Sequence, residues 1–282
     1  MKLSVSSYSF ARFAKREKCG YKEICDLAKE IGFEGIEFIN LDDRALAIEC
    51  EPIDEAKKMR EYCEKIGLEI IAYAVGANFL LDYADAEVDR VCRCLDVCAA
   101  LGAKVLRHDV CYSLPEGKTW QDAAEIMAPH IRRVSEYARK LGIRTCTENH
   151  GFIFQAPERV KYLMDIVASD NYGWLCDVGN FLCADAEPAG AVKIAAPYTV
   201  HAHVKDFLFH SPEEGIAEGY FKTTGGNFIC GTVVGRGIVP VKECLDTLKS
   251  GGYDGWLTLE FEGREDNITA VKESLEFLKK II

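Results

Sequence analysis

Short apolar runs that close on a polar side chain alternate along this chain with longer stretches whose apolar positions recur every three or four residues. The first pattern reads as buried β-strand and the second as amphipathic helix. One helical face gathers Ile24, Leu27, Ala28 and Ile31, another Val88, Val91, Cys92, Leu95 and Ala99, and a last one Ile268, Val271, Leu275 and Leu278. A helix-ending signature recurs at Ile31-Gly32-Phe33, Ile66-Gly67-Leu68, Leu101-Gly102-Ala103 and Leu141-Gly142-Ile143, where an apolar tail meets a glycine able to take the left-handed cap. These copies lie 35, 35 and 40 residues apart, a period a helical solenoid would share. Each, however, is followed by strand-type sequence such as Glu34-Gly-Ile-Glu-Phe-Ile39, so a βα repeat fits better.

Eight strands are expected, beginning near Leu3, Gly35, Leu68, Lys104, Ile143, Tyr172, Tyr198 and Gly255. Eight βα units predict a closed (β/α)8 TIM barrel, read as one α/β domain over residues 1–282. Start signals agree: Pro52 stands where a first helical residue belongs, and Thr119 with Asp122 forms a capping box. Pro129 predicts a kink or break in the helix that follows. An open doubly wound sheet is the main competitor, but it brings a glycine-rich phosphate turn after its first strand, and Ser6-Ser-Tyr-Ser-Phe10 offers none.

Four of the strands end on groups that do not suit a packed interior. Ile143 to Glu148, Tyr172 to Asp177, Tyr198 to His203 and Gly255 to Glu260 each carry a carboxylate or imidazole at the downstream end. In a barrel those ends open on one rim, so strands five to eight place the four groups around half of it. Three converging carboxylates raise one another's pKa unless a cation relieves them. The set therefore predicts a site for one hard or borderline divalent ion such as Mn²⁺ or Mg²⁺, with Co²⁺ or Zn²⁺ as alternatives.

Neighbouring positions supply candidate substrate contacts. His201, His203 and Lys205 alternate onto one face, with His203 the rim ligand and His201 a layer deeper. Lys205 either meets substrate oxygens or a phosphate, or offsets the acidic cluster. His150 follows Glu148 into the loop. Of Arg107 and His108, alternation allows only one inward, and His108, at the strand end, is assigned to the pocket. Cys146 shares the inner face with Glu148, where packing is its expected role.

Composition narrows the partners. A net charge of −11 speaks against nucleic acid, and no apolar run is long enough to span a bilayer. Met1-Lys2 runs directly into strand-like sequence, so a soluble cytoplasmic protein is expected, acting on a small molecule. The thirteen cysteines contain no C-x-x-C and are read as reduced packing residues.

Taken together, Thr147-Glu148-Asn149-His150, Cys176-Asp177-Val-Gly-Asn180, His201-Ala-His203-Val-Lys205-Asp206, Gly235-Arg-Gly237 and Leu259-Glu260 resemble the xylose-isomerase-like barrel superfamily, in particular its sugar phosphate isomerase/epimerase branch. The resemblance implies that Glu148, Asp177, His203 and Glu260 bind one ion, often Mn²⁺, and that Glu148 and Glu260 move protons. It adds Asn180 and Arg236 to His108, His150 and Lys205 as groups meeting a sugar or sugar phosphate. The chemistry it implies is proton removal beside a carbonyl through a metal-stabilised enediolate, giving epimerisation or aldose–ketose isomerisation. Several epimerases of the family carry a histidine where this chain has Asn180, an amide that can hydrogen-bond but cannot relay a proton in the same way.

The long connection from Phe207 to Thr232, with Gly215, Gly219, Gly225 and Gly226, is read as a mobile lid in preference to an oligomer contact. Three other functions share the scaffold. An inosose-type dehydratase uses the same enolisation and then expels a β-hydroxyl; a non-catalytic sugar-binding barrel would not require both glutamates. An endonuclease-IV-like repair enzyme needs a richer histidine set than the six present.

Overall fold

The computed structural model describes residues 1–41 and 52–282. Eight parallel strands close into a barrel. They are β1 (Lys2–Ser6), β2 (Gly35–Ile39), β3 (Glu69–Val75), β4 (Val105–His108), β5 (Arg144–Glu148), β6 (Tyr172–Asp177), β7 (Thr199–Val204) and, after a three-strand insertion, β11 (Trp256–Leu259). β11 lies between β1 and β7, which completes the ring. Each strand starts within one residue of its expected position.

The helices are α1 (Ala11–Glu17), α2 (Tyr21–Ile31), α3 (Pro52–Ile66), α4 (Ala84–Leu101), α5 (Trp120–Lys140), α6 (Pro157–Val167), α7 (Pro188–Ala195), α8 (Val241–Ser250) and α9 (Asn267–Ile281), and the three apolar faces read from the sequence fall on α2, α4 and α9. Ile24 and Ala28, Val88, Val91 and Leu95, and Val271, Leu275 and Leu278 are buried in the layer between helices and barrel. Gly32, Gly67, Gly102 and Gly142 all adopt positive φ, the left-handed cap that turns each helix tail toward the next strand. Thr119 and Asp122 exchange both capping bonds, and α3 starts at Pro52. Pro129 does not break α5, which runs unbroken from Trp120 to Lys140. Met127, Ala128 and Ile131 are buried on either side of it, and that packing holds the helix through one lost hydrogen bond.

The insertion between β7 and α8 is a folded sheet. β8 (Asp206–His210), β9 (Phe221–Lys222) and β10 (Phe228–Thr232) pair antiparallel in the order β8-β10-β9. The glycines expected to mobilise this stretch include Gly226, which makes a tight turn, and Gly225, whose N–H donates to Asp185. Asp185 also accepts from Thr223 and Asn227, which ties the β9–β10 turn to the barrel rim.

Asp206 locks the base of the insertion. Its Oδ1 accepts from the N–H groups of Phe207 and Val239 at 2.9 and 3.0 Å, and its Oδ2 from Gly235 and Gly237, both at 2.9 Å. A Cβ on Gly237 would lie 2.2 Å from Asp206 Oδ1, and Gly235 has a φ of +93°. The Gly235-Arg-Gly237 motif is therefore a backbone cradle for the Asp206 carboxylate. Asp206→Ala is expected to lower stability by about 3 kcal/mol, because buried N–H groups left without an acceptor cost about 1–3 kcal/mol each. Urea denaturation measures this, and an unchanged midpoint would remove the cradle's importance. Among the described residues, no helix is long and apolar enough to cross a membrane.

Candidate metal centre

Barrel closure brings Glu148, Asp177, His203 and Glu260 together at the downstream mouth, with one ligand atom from each lying within 4.8 Å of all the others. Glu148 and Asp177 end β5 and β6, His203 lies one residue from the end of β7, and Glu260 follows β11 directly. Register does the aligning, since Asp177 sits opposite His203, and Thr258 of β11 opposite the same histidine.

Each candidate ligand is held by its surroundings. Asp177 is fully buried, and its Oδ1 accepts from the N–H groups of Gly179 and Asn180 at 2.8 and 3.0 Å. Asn149 points away from the cavity and clamps the Asp177 backbone, donating to its carbonyl at 2.8 Å and accepting from its N–H at 3.0 Å. Glu148 is gripped on both oxygens, by Asn180 Nδ2 at 2.7 Å and Arg107 Nη2 at 2.7 Å. Lys205 lies 3.2 Å from Asp177 Oδ2 and 3.5 Å from Glu262 Oε1, and pairs closely with Glu260.

Electrostatics follow from burial. Burial pushes the Asp177 carboxyl up, against the pull of Lys205. Burial also works against the Glu260 charge, but Lys205 and His203 outweigh it and hold that carboxyl below its ordinary value. For Lys205 the burial penalty is overcome by Asp177, Glu260 and Glu262, and the ammonium is kept charged. His203 is raised to about 9, with Glu37 outweighing desolvation.

The donors fit a divalent cation. Among the buried candidate ligand atoms, His203 Nδ1 has no hydrogen-bond partner and Asp177 Oδ2 has only the Lys205 ammonium at 3.2 Å. Buried polar atoms left in this state are costly and call for a partner. With the carboxylates of Glu148 and Glu260 they make an oxygen-rich set with one imidazole.

A cavity of about 350 Å³ opens above these atoms. Glu148, His150, Asn180, His203, Lys205 and Glu260 line it, and Phe221 of the insertion forms part of its wall. Two residues expected in the pocket are elsewhere. His108 faces outward, wedged between Phe79 and Tyr172, and its Nδ1 donates to the Asp109 carbonyl at 2.8 Å. Burial pushes it down to about 4, so the ring is neutral. Arg107 takes the inward place because it pairs in register with Cys146, which shares the inner face with Glu148. Arg236 is exposed and bridges to Glu273 at 2.9 Å.

Sequence reasoning missed Glu37 and Asp109. Asp109 pairs with Arg107 at 2.8 Å and with His150 Nδ1 at 3.2 Å. Glu37 accepts from the Nε2 atoms of both His201 and His203 at 3.0 Å. Its signal was available: a lone acid inside the apolar run Gly35-Ile-Glu-Phe-Ile39.

Comparisons with known proteins bear on the fold and the family. Residues 25–281 match the family described as Xylose isomerase-like TIM barrel. Over 142 residues the chain is 25% identical to an inosose dehydratase of Lacticaseibacillus casei, a match covering 50% of this chain and 48% of that protein. The chain thus spans about half the length of the curated relatives it matches. The IOLI protein, solved with a binding zinc atom, has a TM-score of 0.79 at 16% identity, covering 100% of this chain and 99% of that one. An L-ribulose 3-epimerase has a TM-score of 0.74 at 16% identity, covering 99% and 94%. At these identities the solved structures are likenesses of fold. The closed ring of strands and the match across residues 25–281 establish that this chain belongs to the xylose isomerase-like TIM barrel family.

Proposed function

We propose that this protein is a divalent-metal-dependent enzyme that removes a proton next to the carbonyl of an uncharged polyhydroxy ketone. The observation that carries the reading is the convergence of Glu148, Asp177, His203 and Glu260, with the buried His203 Nδ1 left without a hydrogen-bond partner among them. A divalent ion held there, Mn²⁺ or alternatively Zn²⁺, would polarise the carbonyl and stabilise the negative charge that develops on its oxygen. Arg107 and Asn180 hold Glu148 in one orientation, while Lys205 keeps Glu260 ionised. Glu148 and Glu260 are the proton-transfer pair in this reading, one taking the proton from carbon and the other able to deliver one. Return of a proton to carbon gives epimerisation or isomerisation.

The pocket's charge supports a substrate without phosphate. Five carboxylates line it, from Glu37, Asp109, Glu148, Glu260 and Glu262, against the permanent cations Arg107 and Lys205. Both cations already face carboxylates, Arg107 toward Asp109 and Glu148, Lys205 toward Asp177, Glu260 and Glu262. Among the described residues, a phosphate dianion would enter a net negative wall with no uncommitted cation to receive it.

Dehydration is the second reading, and two observations favour it. Inosose dehydratase is what the curated relative is named, and Asn180 lacks the proton-relay capacity that returning a proton would use. In that outcome the proton leaves carbon for a carboxylate, the freed electron pair forms a carbon–carbon double bond as the β carbon–oxygen bond breaks, and the proton held by the carboxylic acid passes to the departing oxygen, which leaves as water.

Incubation of the Mn²⁺-loaded protein in D₂O with ketoses, keto-cyclitols and their phosphate esters, followed by NMR, tests all of this. Deuterium is expected at one carbon beside the carbonyl of an unphosphorylated substrate, and a dehydrated product would choose the second reading. Exchange confined to phosphate esters would overturn the substrate class, and no exchange anywhere would overturn the enzyme.

A further inference from the structure

Glu37 sits one turn of chemistry away from the proposed ligands, on the opposite arc of the barrel. Its side chain is 1% exposed, and a buried carboxylate is expensive unless it is paired. The pairing spans the lumen: Oε2 accepts from His201 Nε2 and from His203 Nε2, each at 3.0 Å, across 164 and 166 residues of sequence. The β2–β3 register shifts between Ile36 and Glu37, an irregularity of the kind that re-aims a side chain beside a functional site.

The anchor is itself anchored. His201 Nε2 also lies 3.2 Å from Thr258 Oγ1, which lies 2.8 Å from Ser4 Oγ, so β2, β7, β11 and β1 are linked through the barrel interior. The rings of His201 and His203 meet edge to face with centroids 5.3 Å apart, which limits rotation of either. With Nε2 committed to Glu37, His203 keeps only Nδ1, a buried atom with no hydrogen-bond partner, 4.0 Å from Glu260 Oε2.

We propose that Glu37 is a positioning residue for the metal centre, fixing the His203 ring and its tautomer so that Nδ1 is the ligand atom. This rests on the metal reading of the preceding section. A carboxylate that accepts the second N–H of a ligating histidine orients the ring and strengthens it as a donor. Glu37, His201 and His203 could be viewed instead as a second cation site. Both of their close contacts are at ordinary N–H donor distances, and a cation there would require both histidines to give up those protons.

Glu37→Gln provides the test. An amide offers one oxygen acceptor where two imidazole N–H groups now converge, and its own NH₂ opposes the second. With metal-stripped protein and Mn²⁺ or Zn²⁺ titrated by chelator competition, the dissociation constant is expected to rise about 10- to 100-fold. Glu37→Asp, which keeps the charge on a shorter stem, should recover part of the loss. In ¹⁵N-imidazole spectra of the Zn²⁺-loaded wild type, His203 should be metal-bound at Nδ1 and protonated at Nε2, and Glu37→Gln should mix the two states. Wild-type affinity in a folded Glu37→Gln variant would overturn the inference. So would wild-type ligation through Nε2, which decides the matter even if the variant does not fold. Two equivalents of metal per chain would favour the second cation site, whereas a wild type that binds no metal removes the underlying reading instead.

Discussion

Glu148→Gln is expected to lower kcat about 10²- to 10⁴-fold with the barrel still folded, the range for loss of one positioned proton-transfer group. The substitution is nearly isosteric, and a Gln oxygen can still accept from Arg107 Nη2 or Asn180 Nδ2, which now sit 2.7 Å from the carboxylate. What disappears is the charge and the ability to carry a proton. Glu260→Gln should show a similar fall, and both variants should bind the metal more weakly because each removes a carboxylate from the proposed ligand set; in Glu260→Gln, Lys205 also loses its closest anionic partner and turns to Asp177 and Glu262. Steady-state kinetics and solvent-deuterium exchange are the measurements. Wild-type exchange in either variant would show that the proton moves through another group.

Metal affinity is expected to rise with pH, close to tenfold per unit, until about pH 9. The reason lies in His203, which Glu37 raises to about 9 against the opposing effect of burial. Nδ1 must be unprotonated to bind a metal, and below this pKa the imidazolium form dominates. At neutral pH the cation therefore competes with a proton, and binding releases one. Two units below the pKa, the apparent affinity lies about 100-fold under its plateau. Calorimetry in buffers of different ionisation enthalpy counts the released proton. An affinity that stays flat from neutral pH to about pH 9 would mean either that His203 does not bind the metal or that its ring is already neutral at pH 7.

Much of this was written in local pattern. The glycine caps at Gly32, Gly67, Gly102 and Gly142, and the apolar runs behind them, mark where each helix hands over to a strand, because both signals act within a few residues. Counting the runs leads to the closed barrel, and the barrel alone places the ends of β5, β6, β7 and β11 on one rim. Glu148, Asp177, His203 and Glu260 were therefore legible as a group before any distance was known. The folded insertion was harder to see, since its glycines mark turns between short antiparallel strands as readily as they mark mobility.

Other features depended on contacts that no local pattern encodes. Whether Arg107 or His108 faces inward follows from the register of β4 against β5, and the partner strand aligned Arg107 with Cys146. Arg236 belongs to a motif whose glycine N–H groups, and not its guanidinium, face Asp206, while the guanidinium lies at the surface beside Glu273. Glu37 is the clearest case. As a residue it is an acid in an apolar strand, and it acquires a role only when barrel closure carries it across the lumen to two histidines more than 160 positions away. Periodicity and caps are short-range, so they specify the elements and which end of each is polar. Which polar groups meet is decided by strand register and ring closure, where burial makes an unpaired charge too costly to leave alone.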